Sequence, residues 1–179
     1  DFHLALSGVS QEVELTVRTE AGRPLRLRGP LLWTHFGASG PVVLDASRHW
    51  HAARQLNRSV TLSINMLMGD DFDAADRRVM DLAASQPRVA LHNALASLVP
   101  GRVADAVVEK LSLDPQTPMG QLARESRRKL IQALTAWPVP VRDSRGYQYA
   151  EVTAGGVAPA ELHAYPGEPA KGPGLGPVV

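Results

Sequence analysis

An alternation of apolar and polar residues limits how the first part of this sequence can fold. Val13, Leu15 and Val17 are separated by charged or polar residues, so a strand at this position has one buried and one solvated face. A second alternating run at residues 25–28 predicts a hairpin with the first, and Gly29-Pro30 is predicted to end it. Further strands are predicted over residues 3–9, 31–34 and 60–66. Neighbouring antiparallel strands of this kind are typical of a small barrel or curled sheet.

Helical periodicity follows in the middle of the chain. Residues 42–55 place Val43, Ala46 and Trp50 near one face, which predicts a helix. Amphipathic helices are also predicted over residues 73–86, 88–98, 102–111 and 119–136. Each carries only a narrow apolar stripe, so these helices must pack against one another. Strands are predicted again over residues 138–142 and 147–153. The sequence therefore predicts an α+β fold, an antiparallel β-sheet or small barrel with an inserted helical bundle.

These patterns divide the chain into three predicted parts. Residues 1–69 and 137–163 are expected to form the barrel-like domain, and residues 70–136 the inserted helical subdomain. Residues 164–179 are rich in proline and glycine, which predicts a flexible tail. The chain does not begin with methionine, and we expect it to be an excised or processed part of a longer protein.

The composition excludes several classes of function. The 179 residues include no cysteine, which excludes thiolate catalysis, cysteine-ligated zinc and iron–sulfur clusters. A formal net charge of +1 gives no general attraction to nucleic acids or anionic membranes. No apolar run reaches the roughly 18 residues that a membrane-spanning helix needs, and no signal peptide is visible. We therefore expect a cytoplasmic protein with no nucleic-acid partner and no membrane partner.

Three polar clusters allow more than one interpretation. The carboxylates at residues 70–73 could bind a divalent cation, but the calcium-loop pattern is absent and acidic capping of the next helix is favoured. The basic run at residues 124–129 could bind nucleic acid. Glu125 interrupts it and no aromatic residues interleave with it, which favours a solvated helix face. His49 and His51 lie two apart on a predicted helix and point in different directions, so no metal site is predicted.

A glycine-punctuated turn connects the strand at residues 31–34 to the following apolar run. Gly37 and Gly40 bracket the turn, Ser39 is predicted to cap the next helix, and Pro41 suits the first helical turn. The free N–H groups and the dipole at such a helix start favour an anionic or polar ligand group. The same pattern also fits a tight turn whose glycines serve geometry alone.

Two separated motifs resemble one protein family. Residues 34–41 read Thr-His-Phe-Gly-Ala-Ser-Gly-Pro, which resembles the THFGxSGP signature of the YhiN/BaiN-like bacterial flavoproteins, a family that includes aminoacetone oxidase. Residues 152–157 resemble the VTAGGV segment with which those proteins return to their FAD-binding domain. Residues 91–95 and 99–103 resemble the helical insert of the family. Two motifs in the right order are more specific than either alone.

The resemblance implies the substrate-side inserted domain of an FAD-dependent NAD(P)H or amine oxidoreductase. His35 would be the catalytic residue, polarising the substrate or relaying a proton. Gly155 and Gly156 would bind the cofactor by letting the backbone approach it closely. The residues expected to bind substrate are Thr34, Ser39 and Gly40. The implied partners are the FAD-binding domain of the same longer protein and a small-molecule substrate.

The sequence contains no strand–GxGxxG–helix unit, and no βαβ alternation is predicted. We therefore expect FAD to be bound in the longer protein and none to be bound by this chain alone, which would be catalytically incomplete. The alternative is a non-catalytic protein-interaction module. In that case the helical insert would dock a partner, and the turn at residues 34–41 would be structural.

Overall fold

A computed structural model describes residues 2–20 and 22–151 of the chain. The described residues divide into two units, one that ends at Arg142 and one that begins at Asp143. The sheet and the helical insert belong to the first unit.

In the second unit, the described residues form a short 3-10 helix at Tyr147–Tyr149. The Tyr149 N–H donates to the Gly146 carbonyl at 3.1 Å, and the Arg145 guanidinium lies 3.6 Å from the centre of the Tyr149 ring. These contacts close a helical turn, so the strand predicted over residues 147–153 is wrong where the structure describes it. Gly155, Gly156 and the tail at residues 164–179 lie outside the described residues.

A single antiparallel sheet forms one part of the first unit. Its strands are β1 (Ser10–Thr19), β2 (Leu25–Thr34), β3 (Gly37–Ser39), β4 (Val60–Asn65) and β5 (Trp137–Val139). Their order across the sheet is β3-β2-β1-β4-β5. The central strand β1 buries Val13, Leu15 and Val17, as its alternation predicts, but it also buries Glu14 and Thr16, so the predicted solvated face is wrong at these two positions.

Strand β2 runs without interruption through Gly29-Pro30, so the predicted break there is wrong. Pro30 pairs with Glu12 of β1, whereas β3 pairs only with Leu32 to Thr34 of β2. On the β3 side the sheet edge is therefore open at Pro30. A residue without an N–H group is tolerated at such an edge.

Strand β5 is shorter than the predicted strand at residues 138–142. It pairs with β4 from Trp137 to Val139 and then leaves the sheet, since the Val141 N–H donates to the Val139 carbonyl at 3.0 Å. Pro138 and Pro140 lack N–H groups, which limits this segment to a short edge strand.

In the described part of the first unit, six α-helices accompany the sheet. They are α1 (Phe2–Ala5), α2 (Pro41–Gln55), α3 (Phe72–Ser85), α4 (Leu91–Leu95), α5 (Gly101–Lys110) and α6 (Arg124–Thr135). Helices α3 to α6 are inserted between β4 and β5. The apolar faces of the sheet and these helices form one continuous core. No helix in the described part of the chain is long and apolar enough to cross a membrane.

Two of the predicted helices are shorter than their periodicity suggested. Ala90 forms a β-bridge with Pro118, so α4 begins only at Leu91. The predicted helix at residues 119–136 divides into a 3-10 helix at Met119–Gln121 and α6. Hydrogen bonds from Met119 and Gly120 to the carbonyls of residues 89 and 87 hold this segment away from the helix path.

The strand predicted over residues 3–9 is wrong, because helix α1 and a turn occupy this stretch. The Phe2 ring stacks on Trp137 of β5 at 4.1 Å and packs edge-on against Trp33 of β2 at 5.5 Å. Strands β2 and β5 are separated by two other strands, so one ring can reach both only if the sheet curls. The structure is thus a five-stranded half-barrel with an inserted helical bundle, and the predicted fold class is confirmed.

The acidic cluster at residues 70–73 is a helix start. The Asp71 side chain accepts a hydrogen bond of 2.8 Å from the Ala74 N–H and caps α3, as predicted. Asp70 pairs with Arg78 at 2.6 Å. Among the described residues, no group of three or more histidine and acidic side chains is arranged to hold a metal ion.

Candidate functional site

The residues of the first motif lie on a tight hairpin between β2 and β3. Thr34 and Gly37 form the last pair of the ladder, and His35 and Phe36 make the two-residue loop. The Thr34 hydroxyl donates to the Gly37 carbonyl at 3.0 Å, which ties the two ends of the loop together. The hydroxyl hydrogen is thereby used, and the oxygen of Thr34 remains an acceptor.

The cap of helix α2 differs from the sequence prediction. Gly40 is the N-cap, and no side chain bonds to the free N–H groups of the first turn. Ser39 ends β3 and pairs with Leu32, so its backbone belongs to the sheet and its predicted capping role is wrong. Pro41 does occupy the first turn of the helix, as predicted.

Gly40 has a backbone conformation that favours glycine, with φ at 98°. A Cβ atom on Gly40 would lie 2.7 Å from the Pro30 carbonyl oxygen and 2.9 Å from the Leu32 nitrogen. Both neighbours are backbone atoms of β2, which cannot move aside as a side chain can. The packing of this chain alone therefore requires glycine at position 40, whether or not a substrate also approaches it.

The imidazole of His35 projects from the loop into solvent. Its ring contacts Phe36 edge-to-face at 4.9 Å, and Phe36 itself is 46% exposed. No carboxylate among the described residues forms an ion pair with His35. The loop thus presents an aromatic ring and a titratable group on an open surface, and a reaction pocket here requires a second surface to close over it.

A second concave surface lies on the helical insert. A groove of about 570 Å³ opens between α5, α6 and β5, with the start of α3 at one side. Its lining residues are Phe72, Lys110, Leu111, Glu125, Arg128, Lys129, Gln132, Ala133, Ala136, Trp137 and Pro138. We call this surface the insert groove. Its two aromatic rings come from α3 and β5, which are far apart in sequence, so no local sequence pattern could have predicted that they lie in one groove.

The basic run at residues 124–129 is largely engaged with neighbouring side chains. The Arg127 Nε donates to Asp76 at 2.9 Å, and Lys129 pairs with Glu125 at 2.9 Å. The Arg128 guanidinium lies 5.4 Å from the centre of the Phe72 ring. The sequence shows no aromatic residue within this run, but the fold places one directly beside it.

The comparison with known protein families decides where the chain belongs. A family model described as the HI0933-like protein barrel and H2TH domain matches residues 2–152. The chain belongs to this family. It is the YhiN/BaiN-like flavoprotein family that the two motifs indicate, and its description agrees with the half-barrel and the helical insert.

Two relatives of this HI0933-like chain carry the same name. The ribosomal RNA dihydrouridine synthase of Escherichia coli K12 is 34% identical over 170 residues, which covers 95% of this chain and 39% of that protein. The ribosomal RNA dihydrouridine synthase of Haemophilus influenzae Rd is 26% identical over 156 residues, covering 87% of this chain and 35% of that protein. The chain therefore spans less than two fifths of the length of either relative.

The sheet of this HI0933-like domain differs from the parallel, doubly wound sheet that binds dinucleotides in many proteins. The sheet is antiparallel throughout, so it offers no βαβ crossover with a helix start aimed at a pyrophosphate. The close approach at Gly40 is made by the backbone of β2, which fills the space where a Cβ would lie. Gly155 and Gly156, the residues expected to contact the cofactor, lie outside the described residues.

Proposed function

We propose that this chain is the substrate-side domain of an FAD-dependent oxidoreductase that forms dihydrouridine in ribosomal RNA. The observation that carries the proposal is the 34% identity to the E. coli enzyme of that name over 95% of this chain. At this similarity and coverage, a shared substrate class is a reasonable inference. In this proposal the chain is catalytically incomplete, and the longer protein supplies the binding sites for FAD and the nicotinamide.

The chemistry of the reaction defines what the hairpin would have to do. Converting uridine into dihydrouridine adds a hydride and a proton across one carbon–carbon double bond. Flavins supply hydrides in such reductions, and the flavin would be bound outside this chain. The proton needs a donor close to the base. His35 is the candidate donor, because its imidazole is exposed at the end of the hairpin and histidine is the side chain that most often acts as a general acid in enzymes.

The two hydroxyls of the hairpin have complementary hydrogen-bonding capacities. The Thr34 oxygen has already donated its hydrogen to Gly37, so it would accept the N–H of a uracil ring. Ser39 forms no side-chain hydrogen bond with another described residue, so its hydroxyl can donate to a uracil carbonyl. Ser39 pairs with Leu32, two residues before Thr34 in β2, so the acceptor and the donor lie on one face of the hairpin, where they would contact the N–H and a carbonyl of uracil.

The proposal departs from two expectations drawn from the sequence. A small-molecule substrate and the absence of a nucleic-acid partner were expected from the net charge and from the resemblance. The names of the two relatives support RNA as the substrate instead. An amine remains the alternative substrate for a flavin-dependent enzyme. The alternative to an enzyme domain remains a non-catalytic protein-interaction module.

The longer protein to which this chain belongs provides the test. It is purified, its visible absorbance spectrum is recorded, and it is incubated with reduced nicotinamide and in vitro transcribed ribosomal RNA that contains only unmodified nucleosides. We expect a bound flavin and the appearance of dihydrouridine in the nucleoside digest by mass spectrometry. A flavin spectrum without dihydrouridine, but with oxidation of an amine, would favour the amine alternative. A colourless protein without product would favour the interaction module.

A further inference from the structure

We propose that the insert groove binds a single unstacked nucleotide of the RNA substrate, an inference that rests on the proposed function. The hairpin at residues 34–40 would act on the target uridine. The insert groove lies on other elements of the same unit and is not explained by the reaction. Its volume of about 570 Å³ falls within the range of sites that hold small ligands.

The rim of the groove is positively charged. Lys110 stands at the end of α5, and Arg128 and Lys129 lie on α6. Glu125 is the single carboxylate among the lining residues, and it pairs with Lys129. Three cations therefore face one carboxylate, and the rim matches a ligand with a negative phosphate group.

The floor of the groove is apolar and includes two aromatic rings. Phe72 lies beneath the guanidinium of Arg128 at 5.4 Å, and Trp137 is held in place by the stacked ring of Phe2 at 4.1 Å. Leu111 and Ala133 complete the apolar surface. Unpaired RNA bases stack on aromatic rings and on arginine planes, whereas a regular duplex keeps its bases inside the helix.

The cationic rim and the apolar, aromatic floor together favour a nucleotide over other ligands of the groove. A peptide helix would need an extended apolar groove, whereas here the apolar floor is ringed by cations. A free anion would need no aromatic floor. A single-stranded nucleotide uses both parts, because its base covers the apolar floor while its phosphate meets Lys110, Arg128 or Lys129.

The experiment measures the affinity of the longer protein for a uridine-containing single-stranded RNA at several salt concentrations. One variant combines Lys110→Gln with Lys129→Gln, both exposed residues of the rim. We expect its affinity to fall about tenfold, and its salt dependence to become shallower by about 0.7 in log–log slope for the lost contact to one phosphate. The matched control combines Arg77→Gln with Arg88→Gln, which removes two exposed cations of the insert outside the groove.

A second variant, Phe72→Leu, removes the aromatic floor and keeps an apolar side chain. We expect a loss of affinity of about tenfold with an unchanged salt slope, since stacking carries no counterion release. Circular dichroism melting checks that each variant is folded. If Phe72→Leu unfolds, the rim variant alone decides, because its two lysines are exposed.

Formation of dihydrouridine by the wild-type protein separates the two proposals. If the wild type makes the product and binds the RNA, but the rim variant has the affinity and salt slope of the control, the groove proposal is overturned and the proposed function stands. If the wild type neither binds the RNA nor makes dihydrouridine, the proposed function fails and this inference fails with it.

Discussion

Gly40 and Pro30 approach so closely that a Cβ on Gly40 would lie 2.7 Å from the Pro30 carbonyl oxygen. This contact joins the start of helix α2 to the middle of strand β2, directly below the hairpin that carries His35. The glycine of the motif thus fixes how the hairpin and the helix meet. Its role in packing can be measured without any assay of activity.

We predict that Gly40→Ala destabilises the protein by about 2–4 kcal/mol, because the alanine would combine a disfavoured φ with a backbone overlap. Urea denaturation followed by tryptophan fluorescence measures the change. Gly37→Ala is the matched control, since Gly37 also has a positive φ, at 144°, but a Cβ added to it would meet no other atom within 4 Å. Equal losses in both variants would contradict the contact with Pro30.

The periodic spacing of apolar residues was sufficient to predict those strands and helices whose apolar residues lie within one continuous segment. The alternation of Val13, Leu15 and Val17 predicted β1, and the stripe containing Ala75 and Val79 predicted α3. In both, the apolar residues recur at the period of the element and are buried on one face. The α+β class followed from the order of these periods along the chain.

Features of the fold that depend on contacts between residues far apart in sequence could not be predicted from local sequence patterns. The ring of Phe2 in helix α1 contacts Trp33 and Trp137, and neither partner is near it in sequence. The insert groove has the same origin, since Phe72 reaches Arg128 only through the packing of α3 against α6. The hairpin residues were found because a contiguous motif contains them, whereas the groove has no such signal.

The buried carboxylate of Glu14 gives a second test of stability. Its side chain is 5% exposed and accepts a hydrogen bond of 2.8 Å from Arg28, with Arg26 at 3.7 Å. We predict that Arg28→Gln costs about 1–2 kcal/mol, because it leaves a desolvated charge with only the longer contact. Glu14→Gln combined with Arg28→Gln should cost less than the sum of the two single changes.

Thermal or urea melts of the two single variants and the double variant form the required cycle. Arg78→Gln serves as the control, since its carboxylate partner Asp70 is 27% exposed, against 5% for Glu14, and this pair is expected to contribute about 0–1 kcal/mol. If the changes in the free energy of unfolding caused by Glu14→Gln and Arg28→Gln are strictly additive, the two side chains do not interact in solution.

The ion pair between Glu125 and Lys129 at the rim of the insert groove leads to a prediction about the titration of Glu125. The hydrogen bond and the charge of Lys129 lower the pKa of Glu125 below its ordinary value. A carboxylate with a lowered folded-state pKa adds stability above its unfolded pKa, and this stability is lost as the pH falls through the folded value. Carbon-detected NMR titration should show a midpoint for Glu125 below that of a free glutamate.

Lys129→Gln should raise the pKa of Glu125 toward its ordinary value, and added salt should do the same in part because both groups are exposed. Arg124→Gln is the control on the same helix. If the titration midpoint of Glu125 is unchanged in the Lys129→Gln variant, the pair does not form in solution.

His35 carries the most direct prediction about catalysis. Its ring packs against the neighbouring Phe36 and is exposed, so His35→Gln should leave the stability unchanged within about 0.5 kcal/mol. Loss of a proton donor should lower the rate of dihydrouridine formation by about a hundredfold or more. Single-turnover kinetics of the longer protein, with the flavin reduced beforehand, isolates the step in which the proton is needed.

His51→Gln is the matched control, because His51 is also exposed and contacts its neighbour Trp50 in the same edge-to-face manner. If His35 donates the proton, His35→Gln slows the single turnover while RNA affinity and flavin content stay at the wild-type level. If His35 only positions the loop, RNA affinity falls together with the rate. A rate equal to that of the control variant would remove His35 from the reaction and leave the hairpin a structural role.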